Sequence, residues 1–179
     1  HRPEHLQHLR DWVQREAPCA IGECGLDFFV DNLDPAEQRL YFQAQLELAR
    51  DMQLPLIVHA RRALDEVIQR IRRVGKLSGV VHSFSGSPEQ ARQLWDLGFM
   101  IGLGGPITYP RANRLRSLVS KMPLEFLLLE TDATSRHGCG RFSKPLPNCV
   151  SKLQQISPRR LRPMPSSCSS SVSAIVGAA

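Results

Sequence analysis

Four residues of metal-ligating type stand at or next to the ends of apolar runs in this 179-residue sequence. The stretch Ala20-Ile21-Gly22-Glu23-Cys24-Gly25-Leu26-Asp27 delivers a carboxylate, Glu23, between flanking glycines. Leu54–His59, Gly79–His82 and Leu127–Asp132 repeat the design, each running apolar and then stopping on a possible ligand. A single histidine in such a place is usually a satisfied polar group. Glu23, His59, His82 and Asp132 in one repeated context read instead as a metal site, since imidazole and carboxylate together suit Zn, Mn or Mg.

The elements that must position these groups follow from periodicity. Leu6, Leu9 and Val13 recur at helical spacing, which predicts a helix from His1 to about Glu16. Asn32-Leu33-Asp34-Pro35 is a loop leading into a helix with Pro near its start, continued by Tyr41, Ala44, Leu48 and Met52 to about Gln53. Further helices are predicted over about Leu64–Val74, Pro88–Leu97 and Ala112–Met122. Strands fall between them at Leu54–His59, Gly79–His82, Phe99–Leu103 and Phe126–Thr131, after the first near Ile21–Asp27. Nearly continuous apolar strands alternating with amphipathic helices indicate a parallel sheet covered by helices.

Composition narrows the class further. The net charge of +6 suggests nucleic acid, but residues 1–133 hold all 17 acids against 16 Lys and Arg, while residues 134–179 hold 7 basic residues and no acid. The basicity therefore belongs to the tail. With 42% hydrophobic residues the body can bury a core, and its length corresponds to one domain. Five cysteines, no secretory apolar region and no apolar run near the length of a membrane span lead to the expectation of a reducing, cytoplasmic protein. Cys19 and Cys24 flank the first strand as structural thiols, and His5 and His8 read as solvent-facing.

Five strands in 133 residues amount to about five units of a (β/α)₈ barrel, which takes roughly 200 residues or more. A doubly wound open sheet is the alternative. Ligand-type residues at the carboxyl ends of four of the five strands favour the barrel, because barrel enzymes assemble their sites on that face, whereas an open sheet gathers them at one switch point.

The runs A-I-G-E-C-G-L-D, P-L-I-V-H-A-R (Pro55–Arg61), G-V-V-H-S-F-S-G (Gly79–Gly86), I-G-L-G-G-P-I-T (Ile101–Thr108) and L-L-L-E-T-D-A (Leu127–Ala133) together resemble the TatD family of metal-dependent deoxyribonucleases, most of all its bacterial YjjV-type members. The resemblance covers about residues 1–133, with five motifs in order. It implies an incomplete TIM-type (β/α)₈ barrel of the metal-dependent hydrolase superfamily, two divalent metal ions (Mg, Mn or Zn), and hydrolysis of DNA phosphodiesters, often as a 3′-to-5′ exonuclease. By that resemblance Glu23 bridges the metals, His59 and His82 hold the second one, and Asp132 holds the first and can accept a proton from the attacking water. Glu23 and Asp132 are thus the catalytic candidates.

Two departures qualify the expectation. The family's His-x-His pair has no counterpart before Ala20, and the chain opens at His1 directly into a helix, so upstream units are expected to carry that pair. Without it the first ion keeps Glu23 and Asp132 alone, while Glu23, His59 and His82 suffice for one ion. After Ala133 the family pattern breaks, with Thr134 in place of its proline, and residues 134–179 become a mixture with 10 Ser, 5 Pro and no acid, read as a divergent, disordered tail from an altered reading frame.

Arg61 and Ser83 are candidate substrate contacts; Arg61 and Arg62 read equally well as a solvated helix start, and Ser83 and Ser85 as donors to His82 or its metal or, more plainly, as loop caps. Gly102, Gly104 and Gly105 give a phosphate-loop signal equally explained by a tight turn, and Glu130 reads as structural because it points away from Thr131 on a regular strand. Apart from a nuclease acting on DNA, two other functions fit: an amide or ester hydrolase of the same metal-barrel class, although no strand here ends on the lysine such enzymes often use, and an inactive fragment that binds a single metal.

Overall fold

The structure, a computed structural model, describes residues 3–130; Asp132 and the stretch 134–179 lie outside the described residues. Its elements alternate as predicted: α1 (Pro3–Glu16), β1 (Ile21–Asp27), α2 (Pro35–Met52), β2 (Leu56–Arg61), α3 (Leu64–Val74), β3 (Gly79–Val81), α4 (Pro88–Asp96), β4 (Phe99–Leu103), α5 (Asn113–Val119) and β5 (Leu127–Leu129). Short 3₁₀ turns at Gly105–Thr108 and Leu124–Phe126 flank α5.

Local chemistry sets the helix starts. Asp34 accepts the Ala36 N–H at 2.9 Å and Pro35 occupies the first turn of α2, which satisfies a donor that the helix itself leaves orphaned. Ser87 and Gln90 cap α4 reciprocally, Gln90 N–H to Ser87 Oγ at 3.2 Å and Ser87 N–H to Gln90 Oε1 at 2.9 Å. Val67, Ile68 and Ile71 form the buried stripe of α3.

All five strands are parallel and each pairs with the next in sequence, in the order β1-β2-β3-β4-β5. Right-handed crossovers that always step the same way put every helix on one face of the sheet. A doubly wound sheet would reverse its order at a switch point. The sheet is therefore an arc of a barrel, and the open-sheet alternative falls away.

Its two faces differ accordingly. The register Cys24↔Val58↔Val81↔Ile101↔Leu127 aligns one row of buried residues, and these pack with Phe42, Leu46, Ile68, Ile71 and Leu94 from the helices in one core. On the opposite face Ile57, Val80 and Met100 are half-buried and Leu128 is exposed. In a closed barrel that face is the interior, filled by side chains from every strand.

Three strands differ from expectation. β2 begins after Pro55 and runs on to Arg61, because β1 continues beside it through Asp27↔Arg61; Arg61 is thus a strand residue. β3 stops at Val81, since Ser83 takes the left-handed conformation at φ 46° and turns the chain, although His82 N–H still bonds Val58 O at 3.0 Å. β5 is only three residues long because a 3₁₀ turn ends at Phe126. Among the described residues no helix is long and apolar enough to cross a membrane.

Candidate metal centre

Glu23 owes its position to an irregularity in β1. Ile21 pairs with Leu56 and Cys24 with Val58, so β1 spends three steps where β2 spends two. Such a bulge re-aims a side chain, and Glu23 stands half exposed between buried Gly22 and Cys24. Downstream, Gly25 lies opposite His59. Gly25 has φ 154°, and a side chain there would press on the His59 backbone, its Cβ only 2.9 Å from the His59 nitrogen. Glycine therefore permits the close pairing that carries His59 to the open face.

His82 follows β3 and reaches the same point. His59 Nδ1 lies 3.0 Å from His82 Nε2, and His82 Nε2 lies 3.6 Å from Glu23 Oε1. One ligand atom from each of Glu23, His59 and His82 falls within 4.8 Å of the others. Donors on one ion at about 2.0–2.2 Å stand no more than roughly 4.4 Å apart, so the two short separations match a shared cation and the third closes with a small side-chain movement. Two imidazoles and a carboxylate suit a divalent metal and leave a coordination position open.

Asp27 also belongs to this site, and sequence reasoning passed it over. Its Oδ2 lies 3.3 Å from His59 Nε2, the nitrogen turned away from His82. Asp27 Oδ1 accepts the Phe29 N–H at 2.8 Å, and the Asp27 backbone exchanges bonds with the Gln38 amide at 2.7 and 3.0 Å. Gln38 thereby ties the end of β1 to α2. A carboxylate on the outer nitrogen of a ligating histidine fixes its tautomer and ring orientation. The signal in the sequence was the spacing: Asp27 lies four residues after Glu23, an even step along one strand.

The remaining candidates are placed as follows. Glu130 lies over Gly102 with its carboxylate accepting the Ser83 backbone N–H, and its own N–H bonds Leu103 O at 3.1 Å. It anchors the loop after His82, a structural role. Arg61 and Arg62 both lie against the exposed Phe29 ring, at 3.7 and 4.6 Å. Gly104 and Gly105 open the 3₁₀ turn after β4. Cys24 faces the core, its Sγ 3.7 Å from Ile57 O, and burial, with help from the Glu23 charge, pushes its thiol up to about 12. It is a protonated packing group.

A parallel barrel arc with two histidines and two carboxylates gathered on its open face is the architecture of a metal-dependent hydrolase. The chain belongs to the TatD related DNase family, whose profile matches residues 1–162. It is 43% identical over 136 residues to a protein of Escherichia coli K12 named uncharacterized metal-dependent hydrolase YjjV, covering 74% of this chain and 52% of that one. It is 42% identical over 117 residues to the 3′-5′ ssDNA/RNA exonuclease TatD of Klebsiella pneumoniae, covering 64% of this chain and 44% of the relative. The crystal structure of E. coli YjjV, a TatD homolog, superposes with a TM-score of 0.70 at 42% identity, over 74% of this chain and 52% of that one. The chain thus spans about half the length of the curated relatives it matches.

Proposed function

We propose that this chain carries the Glu23-His59-His82 half of a nuclease that hydrolyses phosphodiester bonds of single-stranded DNA with divalent metal. The observation that carries the reading is the convergence within 4.8 Å of three ligand atoms, from Glu23 inside β1, His59 inside β2 and His82 just past β3. The exonuclease named among its relatives supports the substrate class.

A bound Mg, Mn or Zn ion would polarise a phosphoryl oxygen and supply nucleophilic hydroxide near neutral pH. His59 and His82 would hold it through the nitrogens that face each other, Asp27 would keep the His59 ring in place, and Glu23 would bind it while reaching a second ion. Asp132, by resemblance to the family, would bind that second ion and accept the proton of the attacking water. Arg61 and Ser83 flank the ligands as contacts for the substrate phosphate.

Nucleotide release from a 5′-labelled single-stranded oligonucleotide, with Mg²⁺ or Mn²⁺ and with chelator as control, tests the reading. Chelator-sensitive release that Glu23→Ala abolishes supports it; no release, or release indifferent to Glu23→Ala, ends it. A second reading is a fragment that binds one ion without turnover, favoured because Glu23, His59 and His82 are the one such group among the described residues. Metal uptake without any nucleotide release would select it.

A further inference from the structure

We infer that Phe29, Arg61 and Arg62 form a clamp for one nucleotide of a single-stranded nucleic acid, the base on the phenyl ring and the phosphate on the guanidiniums. This rests on the nuclease reading and specifies how the strand is held beside the metal centre. Phe29 is 44% exposed in the loop after β1, with Val30 and Leu33 exposed close behind it in the chain. Arg61 and Arg62 both lie over it, at 3.7 and 4.6 Å from the ring centre. Consecutive strand residues normally point to opposite faces. Here Arg62 adopts the left-handed conformation, φ 54°, which breaks the alternation and lets both guanidiniums reach one ring.

The two guanidiniums over Phe29 outweigh the single charge of the neighbouring Asp27 carboxylate, whose Oδ1 accepts the Phe29 N–H at 2.8 Å. Among the described residues neither Arg61 nor Arg62 has a carboxylate partner. Arg62 also lines an open groove of about 610 Å³ with Phe28, Glu66, Ser85 and Gln90. The acids there are already engaged: Glu66 by Arg39 and Arg70, each at 2.8 Å, and Asp65 by the Gln90 amide at 2.6 Å. The Gln90 amide is neutral and leaves the Asp65 charge in place, so Arg39, Arg62 and Arg70 against Asp65 and Glu66 leave a net charge of +1 around the groove.

Position completes the case. Arg61 is two residues beyond His59 on β2, about 6.6 Å along the strand, so a phosphate held there neighbours the one presented to the metal ligands. Cation–π attraction is weak at an exposed site, so an incoming base can take the ring while the guanidiniums turn to the phosphate. Stacking is indifferent to base identity, so the clamp would take any nucleotide.

The test is binding of a fluorescein-labelled oligothymidylate to the full chain in chelator, followed by anisotropy. Phe29→Ala and the double variant Arg61→Ala/Arg62→Ala are each expected to weaken it about tenfold. Phe29→Trp should retain affinity and show indole quenching on oligonucleotide addition, above the background of Trp12 and Trp95. Unchanged affinity in Phe29→Ala, absence of quenching in Phe29→Trp, or no binding by the parent chain overturns the clamp. Binding carried by the basic residues 134–179 would leave Phe29→Ala unaffected and so counts against it. Because chelator removes hydrolysis, binding lost in the variants with no nucleotide release under metal keeps the clamp and sinks the nuclease; the reverse pattern does the opposite.

Discussion

The Asp27 carboxylate stands 3.3 Å from His59 Nε2, on the side of the ring opposite the nitrogen that faces His82. The same carboxylate is held by the Phe29 N–H, and its backbone by Gln38. Asp27→Asn keeps the size of the side chain but lets the amide offer its N–H to the ring instead. Metal affinity should then fall about 10- to 100-fold with the fold retained, as read by isothermal titration with Mn²⁺ or Zn²⁺ alongside circular dichroism. An unchanged affinity would mean that Asp27 only ties down the loop.

Metal should stabilise the folded chain by mass action. At an ion concentration near 100 times the dissociation constant the gain is about 2.7 kcal/mol. Thermal unfolding should therefore shift upward with Mn²⁺ and return with chelator. In His59→Ala and His82→Ala the midpoint should no longer respond to the ion.

Gly102 leaves room for the Glu130 side chain, since a Cβ there would sit 2.7 Å from Glu130 Cδ and 2.9 Å from His82 Cα. The second of these is backbone and cannot swing aside. Gly102→Ala should cost about 1–3 kcal/mol in urea unfolding. Because Glu130 holds the Ser83 N–H next to His82, the variant should weaken metal binding as well.

Two phenylalanines should behave oppositely. Phe42, 1% exposed on α2, fills the core, and Phe42→Ala should cost about 3–5 kcal/mol. Phe29→Ala, at an exposed ring, should stay within about 0.5 kcal/mol. Paired denaturation curves check both. The contrast also decides whether a loss of oligonucleotide binding in Phe29→Ala can be blamed on unfolding.

Acid should loosen the packing of α2 against α3. The Arg39 guanidinium, bonded to Glu66, holds that carboxyl below its ordinary value of 4.5, with Arg70 adding to the effect against partial burial. A depressed folded pKa contributes stability that is full above the unfolded value and is lost as pH falls through the folded one. Between about pH 5 and pH 3 the parent chain should lose more stability than Glu66→Gln. The pair is partly solvated, so the difference should be modest. Equal pH profiles for the two chains would show that the ion pair contributes nothing.

Much of this protein was legible in the order of its residues. Helical spacing in Leu6, Leu9 and Val13, the Asp34-Pro35 start and the apolar strands are local patterns, and local patterns reflect the period of the backbone itself. Glu23, His59 and His82 were legible because each follows an apolar lead-in, although β1 runs on past Glu23 to Asp27 and β2 past His59 to Arg61. Phe29 was not legible as a site residue, and Asp27 only through its even spacing from Glu23. Asp27 matters only because Asp27↔Arg61 pairing and the β1 bulge bring it to the far side of the His59 ring, and Phe29 only because Arg62 departs from strand geometry. Sequential strand order was likewise a tertiary fact: the alternation of strands and helices suits an open sheet and a barrel equally, and hydrogen bonding between distant segments chose between them. Sequence specified which groups exist and at what spacing along each element. Only the tertiary pairing across the sheet decided which of them meet, because contacts between segments 20 to 40 residues apart depend on register and bulges that no local period encodes.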